Sequence, residues 1–127
     1  MADLEQNKRN VIAFYELMFN DCDPRRAVAE YVGADYIQHN PHVETGKEGF
    51  IAYFERMAAG FPGKRVTIKR ALAEGCYVVL HCHQIWPDGL EYAGIDIFRL
   101  NEGGKIIEHW DVLQELPATS AHDNGMF

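Results

Sequence analysis

The chain has 127 residues, 47% hydrophobic and 24% charged, the size and balance of one globular domain and not of a disordered chain. Nineteen Asp and Glu against twelve Lys and Arg give a net charge of −7, the wrong sign for a general binder of nucleic acid or of an anionic membrane surface. No apolar run nears the roughly 20 residues that span a bilayer. The polar, mixed-charge start (residues 1–9) is unlike a signal peptide, so a cytoplasmic protein is expected, with Cys22, Cys76 and Cys82 as reduced thiols.

Residues 5–20 put Val11, Ile12, Phe14, Tyr15, Leu17, Met18 and Phe19 on a broad apolar helical face. Asn20-Asp21-Cys22-Asp23-Pro24 ends that helix. Asp23 is suited to cap a second helix with Pro24 at its first position, and Gly33 to stop it after about Val32. Tyr36-Ile37-Gln38 reads as extended. His39-Asn40-Pro41 reads as a turn, because the proline biases Asn40 away from helical angles. A third helix covers about 47–60, with Phe50, Ile51, Phe54 and Met57 apolar, and residues 60–63 break it.

Four strands follow. Residues 65–73 alternate, with Val66, Ile68, Arg70 and Leu72 on one face. Residues 77–86 form the second strand, and Pro87-Asp88-Gly89 turns. Residues 90–100 form the third, Asn101-Glu102-Gly103-Gly104 is a hairpin signal, and residues 105–113 form the fourth. The tail is polar until Met126-Phe127, an apolar pair placed to tuck back onto the body. Helices first and strands after predict an α+β fold and a single domain over 1–127.

Asp96 is the most informative residue. It stands in Gly94-Ile95-Asp96-Ile97-Phe98, deep in an apolar strand, where a carboxylate must be paired or protonated. A two- or four-residue loop at 101–104 sets Leu100 opposite Lys105, His109 opposite Asp96 and Asp111 opposite Gly94, all on one face; a three-residue loop sets Glu108 opposite Asp96 instead. An Asp–His pair in a partly apolar cavity moves a proton near neutral pH. In this register Trp110 points the other way, with Glu108 and Ile106. His81 and His83 share one strand face, a spacing that supplies two ligands in some metal sites. A two-residue turn at 88–89 puts His81 opposite Asp96, and a three-residue turn puts Leu80 there. His39 and Asn40 either cap backbone groups in a turn or rim a cavity, and Tyr15 either packs in the core or sends its hydroxyl into that cavity. No nucleotide-binding, serine-hydrolase or zincin motif is present.

Several segments resemble the SnoaL-like polyketide-cyclase and aldol-condensation group of the nuclear transport factor 2-like (cystatin-like) superfamily. They are Tyr36-Ile37-Gln38-His39-Asn40-Pro41, Ala73-Glu74-Gly75, His81-x-His83, Asp96-Ile97-Phe98-Arg99, the run Gly104-Lys105-Ile106-Ile107-Glu108-His109-Trp110-Asp111-Val112, and the closing Asn124-Gly125-Met126-Phe127. The resemblance covers nearly the whole chain. It implies three helices packed on a curved, mostly antiparallel, cone-shaped sheet, and pairing of two copies through that sheet. The chain is also distantly similar to ketosteroid isomerases. There an Asp at the position of Asp96 and a Tyr within one residue of Tyr15 donate to the oxyanion, and cavity positions match His109 and Asp111. The isomerase's base, an Asp before a proline, is Asn40 here, which argues against steroid isomerisation.

The expected function is a cofactor-independent enzyme acting on a small carbonyl compound, by aldol cyclisation or proton-transfer isomerisation. Asp96, His109 and Asp111 would carry the chemistry; Tyr15, His39, Asn40, His81, His83 and Phe98 would line the substrate site. A non-catalytic ligand-binding module is the first alternative. The second is a metal-assisted hydrolase or lyase using His39, His81, His83 and His109.

Overall fold

A computed structural model describes residues 3–60, 63–86 and 88–127. Phe61 and Pro62 in the expected helix-ending stretch, Pro87 in the expected turn, and Met1 and Ala2 of the leading segment lie outside the described residues. The order is α1 (Leu4–Phe19), α2 (Pro24–Tyr31), β1 (Val32–Gln38), α3 (Lys47–Gly60), β2 (Arg65–Glu74), β3 (Tyr77–Ile85), β4 (Glu91–Leu100) and β5 (Ile106–Glu115). The strands form one curved sheet in the order β1-β5-β4-β3-β2. β1 runs parallel to β5, and the other neighbours pair antiparallel. No helix among the described residues is long and apolar enough to cross a membrane.

Local chemistry sets the helix starts. The Asp3 carboxylate accepts from the Gln6 N–H at 3.0 Å, and Asp23 accepts from the Arg26 N–H at 3.2 Å with Pro24 in the first turn, as the sequence predicts. The expected apolar face of α1 buries Val11, Phe14, Tyr15, Met18 and Phe19 against the concave side of the sheet. Phe14 and Tyr15 meet the edge of Phe98 at centroid distances of 6.2 and 5.4 Å, and Phe50 and Phe54 of α3 close the cluster. Lys64, which the sequence does not single out, is fully buried. Its ammonium donates to the Met18 and Phe19 carbonyls at 2.9 and 2.8 Å, satisfying the open carbonyl end of α1.

Four expectations change. Gly33 does not stop α2 but lies in β1, where it allows close approach to β5: a Cβ there would fall 2.9 Å from Ile107 Cγ2. A bulge between Ile68 and Arg70 turns β2 over midway, so Val66 and Ile68 face inward while Arg70 and Leu72 face out. Ile106 is fully buried, not outward with Trp110.

The β4–β5 register differs by two residues from that expected for a two- or four-residue loop. Asn101 N–H donates to the Lys105 carbonyl at 2.8 Å, closing a three-residue loop in which Gly104 takes φ 76°, and a bulge beside Leu100 adds one more step. Asp96 therefore stands opposite Asp111, not opposite His109 or Glu108, which face Phe98 and Arg99. Two single-residue shifts restore the alternation, so Asp96, His109 and Asp111 still share the concave face. The tail tucks back as expected: the Phe127 ring lies 4.8 Å from His83 and 5.6 Å from His81.

Candidate active site

The concave face of β4 and β5 meets α1 and the segment after β1 at a buried polar cluster. Asp96 is fully buried. Its Oδ1 accepts from the Tyr15 hydroxyl and lies 2.9 Å from His109 Nε2, while Oδ2 has no hydrogen-bond partner. Phe98 packs 4.8 Å from the His109 ring. Across the imidazole, Nδ1 lies 2.8 Å from Gln38 Oε1. Asp111 Oδ2 approaches His109 Nε2 to 4.0 Å, and both Asp111 oxygens accept from the Asn40 amide at 3.0 Å.

Burial shifts the proton affinities of the cluster. It pushes the Tyr15 phenol well above its usual range, with the Asp96 charge adding to the effect. Burial also raises Tyr36 and the Cys82 thiol, again with Asp96 contributing. Asp111 is raised by burial although the His109 and Asn40 contacts pull the other way.

Two spaces open onto the cluster. An inner cavity of ≈ 20 Å³, room for about one water, is lined by the aromatic core together with Tyr15, Gln38, Asn40, Gln84, His109 and Asp111. An outer vestibule of ≈ 410 Å³ is lined by Pro41, His42, Tyr53, Tyr92, Val112 and Leu113. Asn40, Trp86 and Asp111 line both and mark the boundary. Asp96 lines neither, standing behind Tyr15 and His109.

The structure thus brings together Tyr15, Asn40, Phe98, Asp96, His109 and Asp111. It sets the other three predicted residues apart. A three-residue turn, with Trp86 N–H donating to the Leu90 carbonyl at 3.0 Å, puts Leu80 opposite Asp96 and sends His81 and His83 to the outer face. His39 stacks flat on Trp110, at 4.9 Å and 3°, and its Nε2 lies 2.8 Å from Glu108 Oε2; Arg99 holds the other Glu108 oxygen at 2.7 Å. The set of His39, His81, His83 and His109 therefore does not converge. Among the described residues, the potential ligand atoms within 4.8 Å of one another belong to Asp96, His109 and Asp111. Sequence reasoning passed over Gln38, Gln84 and Trp86. For Gln38, alternation with buried Tyr36 along β1 was the available signal.

Three helices laid in the concave face of a bent sheet, closing over a polar cluster, define a nuclear transport factor 2-like fold. The chain belongs to the SnoaL-like domain family, whose profile matches residues 11–109. TsrD from Streptomyces laurentii superposes with a TM-score of 0.74 at 24% identity, over 89% of this chain and 91% of its own. IdmH from Streptomyces antibioticus, proposed to be a polyketide cyclase, gives 0.68 at 22% identity, over 85% and 91%. A Kribbella flavida protein proposed to be a ketosteroid isomerase gives 0.75 at 17%, over 96% and 87%. No curated protein matches the sequence.

Proposed function

We propose that the chain is an acid/base enzyme acting on an apolar, carbonyl-containing small molecule held in the vestibule. A base removes a proton from the carbon beside the carbonyl. The enolate either attacks a second carbonyl of the same molecule, as in an aldol cyclisation, or is reprotonated at another carbon, as in an isomerisation. Neither route needs a co-reactant. The observation that carries this reading is Asp111, the one carboxylate among the described residues that lines both spaces. Burial raises its proton affinity, which is what a base working near neutral pH requires. Tyr15 and His109 line the inner cavity with their polar atoms turned to Asp96, so a hydrogen bond from either to a substrate oxygen requires its release from Asp96. Asp96 acts through them as a positioning residue, because it does not reach the cavity.

The test is exchange of solvent deuterium into the α-carbon of a panel of apolar ketones and diketones, with product analysis for cyclisation. Asp111→Asn is expected to lose about 10²–10⁴-fold and Tyr15→Phe less, with binding retained in both. Exchange by Asp111→Asn at the wild-type rate would overturn the role of Asp111. Binding of the panel without any exchange would favour a non-catalytic ligand-binding module. That reading draws support from the ≈ 20 Å³ inner cavity, which admits no substrate group larger than a water.

A further inference from the structure

We infer that the turn from Gln38 to His42 is a polarity template for the site: Gln38 fixes His109 as its Nδ1–H form and Asn40 presents donors to Asp111, leaving the movable proton between His109 Nε2 and Asp96 Oδ1. The inference rests on the proposed function only for its catalytic use; the proton positions are a property of the free protein.

Non-titrating backbone groups set the two amides. The N–H groups of His39 and Asn40 both donate to Gln38 Oε1 at 3.1 Å. An N–H cannot donate to an amide NH₂, so that end of Gln38 is oxygen. Its nitrogen end donates to the Tyr36 hydroxyl at 3.0 Å. His109 Nδ1, 2.8 Å from the same oxygen, must then carry hydrogen. The same logic holds for Asn40. His42 N–H donates to its Oδ1 at 2.9 Å, which turns its NH₂ toward the two Asp111 oxygens.

With Nδ1 protonated, Nε2 and Asp96 Oδ1 hold one proton between them across 2.9 Å. On the nitrogen it makes an imidazolium beside a carboxylate; on the oxygen it makes a neutral pair. Rotating Gln38 away would free the other tautomer, with Nε2–H aimed at Asp96 and Nδ1 bare, and that form has no nitrogen facing Asp111 able to accept a proton. The titratable groups around the imidazole are Asp96 from β4, Asp111 from β5 and Tyr15 from α1. Tyr36 of β1 and Cys82 of β3 stand behind them. Burial keeps both phenols and the thiol protonated, so only the two carboxyls compete with His109 for the proton.

The experiment is two-bond ¹H–¹⁵N correlation on histidine-labelled protein without substrate, with His109→Gln identifying the signals. Wild type is expected to carry hydrogen on Nδ1 in the neutral ring. Gln38→Leu is expected to move the neutral ring toward Nε2–H. Gln38→Glu keeps the acceptor oxygen, so it should retain the neutral Nδ1–H ring. Wild-type His109 neutral as Nε2–H overturns the inference, as does a Gln38→Leu spectrum matching wild type. Should the leucine variant fail to fold, a neutral Nε2–H ring in Gln38→Glu overturns it. Deuterium exchange reads the proposed reaction separately, so absence of catalysis leaves the tautomer result standing.

Discussion

Asp111 pulls stability and chemistry in opposite directions. Burial raises its proton affinity in the fold. A carboxyl whose pKa is higher folded than unfolded favours the native state at low pH. That contribution is complete below the unfolded value, near 4, and is lost as pH rises through the folded value. Near pH 7 the ionised group is therefore a cost. Asp111→Asn is expected to melt above wild type near pH 7, by a margin that narrows as the pH falls toward 4, while losing activity; calorimetry at the two pH values measures it. A lower melting temperature for the variant near pH 7 would mean that the Asn40 and His109 contacts outweigh burial. The cluster was partly legible because a carboxylate in an apolar strand demands a partner, and alternation left His109 and Asp111 as candidates. For Gln38, alternation with Tyr36 gave only the face, and its role shows once the N–H groups of the next two residues are seen to orient its amide.

The site depends on how closely β1 lies against β5, because Gln38 and Asn40 reach the cluster from the end of β1. Gly33 permits that approach. Gly33→Ala is expected to cost about 1–3 kcal/mol through overpacking, since its Cβ would meet Ile107 Cγ2 at 2.9 Å and Asn101 Nδ2 at 3.2 Å. Ile107→Ala should recover part of that loss in the double variant. Denaturant titration of the four-member cycle would show coupling above about 0.5 kcal/mol, and simple additivity would place the strain elsewhere. Registers were the least legible element of the sequence. The Asn101-Glu102-Gly103-Gly104 signal located the turn, but loop length and bulge each shift the ladder by one, and neither is written in composition. The shared face survived because the two shifts add to an even number. A single shift would have turned His109 out, much as the bulge in β2 turned out Arg70 and Leu72, and as the three-residue turn before β4 fixed His81 and His83 on the outside.

On the molecule as a whole, the convex side of the sheet presents more apolar surface than its interior task requires. Val112 is 75% exposed, Leu72 58%, and Ile95 and Tyr77 each 43%. Ile95 stands between His81 of β3 and Val112 of β5, at the middle of this face, and Phe127 folds over its β3 side. We propose that a second copy of the chain covers this face, as the family resemblance implies; of these four exposed side chains only Val112 also borders the vestibule. Covering these side chains removes apolar area from water at about 25 cal/mol per Å², whereas a charge at the centre of such a contact is strongly unfavourable. Wild type should sediment as a dimer and Ile95→Glu as a monomer. The variant should keep the His109 spectrum and ligand binding of wild type, because Ile95 points away from the cavity. A monomeric wild type at micromolar concentration, or a dimer unaffected by Ile95→Glu, would move the interface off this face. Loss of the His109 spectrum on dissociation would instead mean that the second copy braces the strands carrying Asp96 and Asp111, making the site dependent on assembly.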